Sequence, residues 1–351
     1  MASERARSRC RERLEKLSRS QLDRDAMRRE AIADLRATIG FDRWCWPLAD
    51  PETLLPAGGL AEHDYGPRVP RTLELEYSQD HFAAKHVLAR RVNPAGSLNV
   101  ETGGDLARSA RWDEVLRTYG IGDVAVVACR DDAGCWGWIE VYRDGSDRDF
   151  DAHDLELLAS VGASLGSGLR RNVLSAHAVA PETRPSAVLV LDRALRLLSW
   201  TESARAWLDV LPSAALNATW GILPTVIYPA VTVARTRTRA TAYALLHGVD
   251  GSWVMIDAAP LEGNGEAELA VTLRSPTPAE TFRLFGRAYA LSSRERDVVS
   301  LLTAGLDTRT VAERLHISPL TVQDHLKSVF EKTGIHSRRE LLATLGSPAL
   351  N

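Results

Sequence analysis

Residues 291–345 read LSSRERDVVSLLTAGLDTRTVAERLHISPLTVQDHLKSVFEKTGIHSRRELLATL, and their punctuation alone marks four short helices. Ser292 followed by Glu295 is a capping box, in which the serine hydroxyl and the glutamate carboxylate satisfy each other's backbone amides. Gly305 suits the left-handed position that ends such a helix. Asp307 is placed to cap the second helix and Ser318 the third, with Pro319 at the first helical position, where its missing N–H is no loss. Gly334 closes the third helix, and Ser337 with Glu340 repeats the box before the fourth. Val298, Val299, Leu301, Leu302, Val311, Leu315, Ile317, Val322, Leu326 and Val329 then supply one small all-α core.

The third helix is amphipathic. At about 100° per residue, Val322, Leu326 and Val329 gather on one side, whereas Gln323, Asp324, Lys327, Ser328 and Glu331 fall on the other. A short helix with a packed face and an open polar face is what a DNA groove accepts.

The ordered set LSSRERDVV, AGL, VAERLHIS, TVQDHLKSVFEKTGI and SRREL resembles the LuxR/FixJ-type helix-turn-helix domain. One departure is His316, where the family often has glycine; histidine enters the left-handed region more readily than most residues, so the turn is expected to survive. The resemblance implies base contacts from Gln323, Asp324 and Lys327. Glutamine can pair with adenine, lysine can reach guanine, and an aspartate can accept from cytosine N4. It implies phosphate contacts from Ser318, Thr321, Ser328, Lys332 and Arg338, which position without specifying, and pairing of two copies through Leu341, Leu342 and Leu345. The implied partners are double-stranded DNA with a pseudopalindromic operator, a second copy in a homodimer, RNA polymerase, and an unknown small-molecule ligand. The implied setting is a bacterial cytoplasm, with no membrane.

Bulk charge looks at first like an objection, because the 351-residue chain carries a net charge of −3. Its distribution removes the objection. Residues 1–40 hold 11 basic against 7 acidic side chains and residues 282–351 hold 10 against 7, so the acidity lies in the middle. A small basic reader on an acidic body fits that pattern better than a histone-like wrapper. No apolar run approaches a membrane span and no apolar leader opens the chain, so neither spanning nor secretion is expected. Cys10, Cys45, Cys129 and Cys135 form no C-x-x-C pair and are read as buried thiols.

Upstream, Pro-bearing stretches at 178–187 and 275–280 punctuate the chain. The expected layout is a basic helix at 1–40, a sensory domain at 41–177, a second at 186–275, a linker helix at 276–290 and the helix-turn-helix domain at 291–346. RWCWPLADPETLLPAGGL reads as one hairpin; VAVVACRDDAGCWGWIEVYRD reads as a stronger one turning at DDAG, ahead of a helix beginning near FDAHDLELL. That order is similar to the C-terminal half of a GAF domain. Two strands, helices and a three-stranded meander in the next hundred residues are similar to a PAS domain. The fold class is therefore multidomain: α+β sensory domains, GAF-like then PAS-like, before an all-α four-helix reader.

Trp44 and Trp46, with Trp136 and Trp138, can line an aromatic sensor pocket or simply pack the core. His63, His81, His86 and His153 show no ligand spacing, so no metal or other cofactor is expected. The chain has no G-x-x-x-x-G-K-[ST] loop, no receiver-like βα alternation, no autoinducer-domain signature and no nucleophile–base pair, and no enzyme activity is expected. The competing reading is a signalling protein that uses the bundle as a docking module rather than as a DNA reader.

Overall fold

The computed structural model describes residues 3–62, 66–78, 81–175, 184–236, 242–262 and 267–344. The linker at 178–183, His63 and Leu345 lie outside the described residues.

The Arg-rich start forms two helices, α1 (Glu4–Ser18) and α2 (Arg24–Ile39), rather than one. Asp23 breaks the run by capping α2, its carboxylate accepting from the Asp25 and Ala26 amides at 2.9 Å. The first sheet contains β1 (Arg43–Ala49), β2 (Pro56–Ala61), β3 (Ala95–Ser97), β4 (Ile121–Asp131) and β5 (Gly134–Asp144). Its order is β2-β1-β5-β4-β3, antiparallel throughout. Both expected hairpins are present, and the second turns where DDAG stands. Between the hairpins run α3 (Val69–Ser78), α4 (Lys85–Leu88), α5 (Leu98–Thr102) and α6 (Ala110–Glu114), which cover one face of the sheet together with 3-10 turns. The long α7 (Ala152–Ser175) covers the other face with α1 and α2.

β4 is therefore buried on both sides: Ala125, Val127 and Cys129 face α7, while Val124, Val126 and Ala128 face the short helices. A β-bulge breaks the simple alternation of side chains along β5. Cys129 pairs with Gly137 but Arg130 pairs with Cys135, so Trp136 is the extra residue and turns toward α7, while Trp138 points the opposite way.

The second sheet contains β6 (Ala187–Asp192), β7 (Leu197–Trp200), β8 (Ala242–His247), β9 (Trp253–Pro260) and β10 (Ala267–Arg274), in the order β7-β6-β10-β9-β8. That is the same order as the first sheet. Its crossover carries α8 (Ala204–Leu208), α9 (Ala214–Thr219) and α10 (Ile227–Thr236). The two units share one continuous apolar core. Polar links reinforce it: the buried Asp50 carboxylate accepts from the Leu245 amide at 2.9 Å, and Glu74 of α3 is ion-paired with Arg235 of α10.

Downstream, α11 (Pro278–Ala288) begins with a full Thr277/Glu280 capping box and Pro278 at its first turn. Arg274 locks this start with two bonds to Glu280 at 2.7 and 2.8 Å and one to Asp257 at 2.9 Å. The four-helix bundle follows as α12 (Ser293–Thr303), α13 (Thr308–Leu315), α14 (Pro319–Thr333) and α15 (Arg338–Thr344). Among the described residues no helix is long and apolar enough to cross a membrane.

The seat of α7 on β4 depends on Gly162 and Gly166, four residues apart on one face. A Cβ at Gly166 would stand 2.7 Å from the Arg130 amide nitrogen and 2.8 Å from the Cys129 carbonyl carbon. Gly166→Ala gains roughly 1 kcal/mol of helix propensity but incurs an overpacking cost of about 1–3 kcal/mol against backbone that cannot yield. The expected outcome is net destabilisation of the first unit, read as a lower urea midpoint; an unchanged or raised midpoint would show that α7 does not seat this closely.

Candidate nucleic-acid interface and sensor cavity

Each cap read from the sequence positions a piece of the bundle. Ser292 and Glu295 form both bonds of their box, and the Asp307 carboxylate accepts from the Thr310 amide at 2.8 Å. His316 adopts φ 53° and ψ 47°, the left-handed position expected of it. The Ile317 amide then reaches the Ala312 carbonyl at 3.0 Å and the His316 amide reaches Glu313 at 3.3 Å, a tight helix end made without glycine. Ser318 caps α14 by accepting from the Thr321 amide at 3.0 Å, and Gly334 ends it at φ 71°. At α15, Ser337 accepts from the Glu340 amide at 3.1 Å, and the Glu340 carboxylate accepts from the amide of His336 at 2.9 Å.

Val322, Leu326 and Val329 are buried in the bundle, while Gln323, Asp324 and Lys327 are exposed along the opposite side of α14. Leu320, which sequence reasoning did not single out, is 67% exposed, and its spacing to Gln323, Asp324 and Lys327 puts it on the same stripe. The sequence-level signal was an apolar residue out of phase with the packed positions.

The implied phosphate contacts are placed unevenly. Ser318 and Thr321 are at the start of α14, their hydroxyls 2.9 Å apart. Ser328 and Lys332 both turn to Glu295: the serine hydroxyl donates at 2.7 Å and the ammonium at 2.7 and 2.9 Å. Ser328 thus faces α12 rather than the open side that the helical wheel gave it. Arg338 donates to the Leu306 carbonyl at 2.8 Å. Leu341 is buried in this bundle's own core with Val299 and Ile335, instead of lying on a pairing surface. The side chain of Leu342 and the whole of Leu345 lie outside the described residues.

A cavity of about 400 Å³ lies between the two sheet units. None of Trp44, Trp46, Trp136 and Trp138 lines it. All four are buried in packed core, Trp138 donating its indole N–H to the Lys85 carbonyl at 2.8 Å. Its polar end is instead a group of charged side chains that the sequence reading missed. Lys85 contacts Glu76 at 2.9 Å and Glu140 at 2.6 Å, and Arg111 contacts Glu140 at 3.1 Å. The available signal was Glu140 itself, a carboxylate in phase with Trp138 and Tyr142 on a strand that packs on both sides.

Burial alone pushes the Glu140 carboxyl up, but the Lys85 and Arg111 charges hold it down to about 2. Burial likewise pushes Lys85 down, and the two carboxylates more than reverse it, so the ammonium titrates above its ordinary range. Burial and the neighbouring Glu140 charge raise the Cys45 thiol, which donates to that carboxylate at 3.2 Å and stays protonated. Among the described residues no group of three potential ligands is placed to hold a metal.

Glu295 ties the bundle together. Burial pushes its carboxyl up, but the bonds from Lys332, Ser328 and the Ser292 amide, with the Lys332 charge, bring it to about 2. A carboxyl depressed in the fold contributes stability that is present above its unfolded range near 4.3 and lost as pH falls toward 2. Glu295→Ala removes half of a capping box and strands two buried-side donors, at an expected cost of roughly 1–2 kcal/mol. It should also flatten the acid limb of the bundle's stability, followed by hydrogen exchange of α12 and α14 between pH 2 and 6. An unchanged acid limb would mean that the carboxylate is not the brace.

Residues 289–345 match the family described as "Bacterial regulatory proteins, luxR family", and residues 23–169 match the GAF domain. A putative HTH-type transcriptional regulator of Mycobacterium tuberculosis is 46% identical over 63 residues, 17% of this chain and 7% of that protein. The monoamine regulon transcriptional regulator of Klebsiella aerogenes is 36% identical over 59 residues, 17% of this chain and 26% of that one. The chain therefore spans only a small part of these relatives' length. An uncharacterized transcriptional regulatory protein of Bacillus subtilis, YxjL, is 25% identical over 169 residues, 46% of this chain and 74% of that protein. Among solved structures, a phage VqmA–DPO complex aligns with 50% of this chain and 88% of its own at 16% identity, with a TM-score of 0.20. The chain carries a GAF domain over residues 23–169 and a luxR-family regulatory domain over residues 289–345.

Proposed function

We propose that this protein is a DNA-binding transcriptional regulator whose two sensory units govern its C-terminal bundle, acting by binding rather than by turnover, in the cytoplasm. The observation that carries the reading is α14. Within the segment matched to the luxR family, it holds Leu320, Gln323, Asp324 and Lys327 open on one stripe and packs Val322, Leu326 and Val329 behind it. In the major groove, Gln323 would pair with adenine, Lys327 with guanine and Asp324 with a cytosine amino group, while Leu320 would meet a thymine methyl. Ser318 and Thr321 are best placed for the backbone, aided by the amides at the start of α14. Ser328, Lys332 and Arg338 would share their donors between phosphates and the internal partners described above.

Two copies paired through α15, with Leu342 and Leu345 as the contact, would read half-sites about one helical turn apart. The second sheet unit is read as PAS-like, RNA polymerase as a further partner and a small molecule as the signal.

The test is a gel-shift titration of the full chain, across salt, on operators selected from a random DNA pool. Lys327→Ala should weaken binding to all sequences and lower the salt slope by about 1. Asp324→Ala should hold most of the affinity while relaxing preference at one base pair, a discrimination of roughly 1–3 kcal/mol. If both variants bind with wild-type affinity, preference and salt slope, α14 is not the reading helix.

A further inference from the structure

The cavity between the sheet units has two chemically different ends. At one, Glu76, Lys85, Arg111 and Glu140 converge, each at least nine-tenths buried. Away from that group the lining includes Pro47, Leu60, Val69 and Leu73 of the first unit and Thr225 and Val226 of the second. One stripe of α3, Val69, Thr72, Leu73 and Glu76, forms a wall reaching from the apolar end to the charged end. The adjacent Glu74 is tied across the unit boundary to Arg235. About 400 Å³ is far more than the water-sized voids a close-packed interior leaves, and it is within the range of small-molecule sites.

We propose that this cavity is a ligand site shared by the two sensory units, built for a small molecule without net charge, with a hydrogen-bonding head and an apolar body, whose occupancy fastens one unit to the other. The inference rests on the regulator reading above and names its signal class. Charge balance decides the class. Glu76, Glu140, Lys85 and Arg111 already answer one another, and the remaining carboxylate of the lining, Glu62, is ion-paired with Arg36, so an ion of either sign would add a charge with no counter-charge left to meet it. A neutral head suffers no such penalty. The cations donate to its acceptor, the carboxylates receive its donor, and the Tyr142 hydroxyl stands at the same end. The body then lies against Leu73 and Val226, so each unit supplies part of the apolar surface that only an occupant keeps dry.

Three probes with one six-carbon body separate the possibilities: hexanamide, hexanoate and hexylamine, each titrated into the full chain by calorimetry. Hexanamide should bind at least about tenfold more tightly than either ion. With hexanamide bound, amide exchange should slow both in α3 and in residues 213–226. Val226→Phe fills the cavity from the second unit and should abolish binding; Thr225→Phe, at a half-buried position, does the same with less risk to folding. Equal or tighter binding of hexanoate or hexylamine, protection confined to the first unit, or binding of none of the three would each overturn the proposal. The DNA titration is independent of these probes. A chain that shifts DNA but ignores all three sinks only this inference, and one that takes hexanamide but never DNA sinks the regulator reading.

Discussion

Phe282 and Leu284 stand two residues apart on α11, about 200° around the helix, and each is buried in a different core. Leu284 and Ala288 pack into the shared core of the sheet units, whereas Phe282 packs with Leu291, Val299 and Ile335 inside the bundle. Phe285 sets its ring edge-on to Trp253 of β9 at 5.7 Å, and Arg170 of α7 holds the Ala288 carbonyl at 2.8 Å. A helix held on opposite sides cannot shift in one core without shifting in the other. The connection between the sheet units and the bundle is thus a packed element rather than a tether, and the Arg274–Glu280 lock fixes its first turn. Close packing is what makes such an element transmit displacement instead of absorbing it.

The same logic extends back to the cavity. α3 lines it, α10 lies against α3, β8 and β9 lie against α10, and Trp253 of β9 meets Phe285 of α11, which packs on α12 next to α14, so a run of packed elements leads from the buried charges to α14. The charged end is expensive to keep: each ion must be answered, and removing any one leaves its partner buried and unpaired. An apolar cluster of the same volume would stabilise the unit at least as well. Keeping charges beside an open volume is the mark of a site arranged to meet something polar, and it contrasts with the tryptophans, which fill space and line nothing.

How much was legible follows from which signals are local. Caps are local, and Ser292, Asp307, Ser318, Gly334 and the left-handed His316 all stand where their residue types place them. The hairpins were legible for the same reason, since DDAG and the flanking β-branched runs specify a turn and its strands together. The opposite facing of Trp136 and Trp138 was not legible, because a bulge is invisible to a strict two-residue period. β3 is only Ala95–Ser97, too short to carry a period at all. The charge cluster gathers from α3, α4, α6 and β5, and no spacing along the chain brings Glu76, Lys85, Arg111 and Glu140 together. The repeated strand order of the two sheets is likewise a property of backbone pairing, shared without any repeated sequence.

Asp324 is where charge and specificity meet. The bundle region carries a modest local excess of positive charge, whereas the acidic excess of the chain belongs to the sheet units. Such a distribution turns the bundle, and not the body, toward a polyanion. Within that bundle, Lys332 is ion-paired with Glu295, and the Arg338 guanidinium donates to the Leu306 carbonyl. In the proposed regulator, the Asp324 carboxylate would push away every sequence that lacks an amino group in front of it, so its contribution would be rejection of wrong sites rather than attraction to DNA at large.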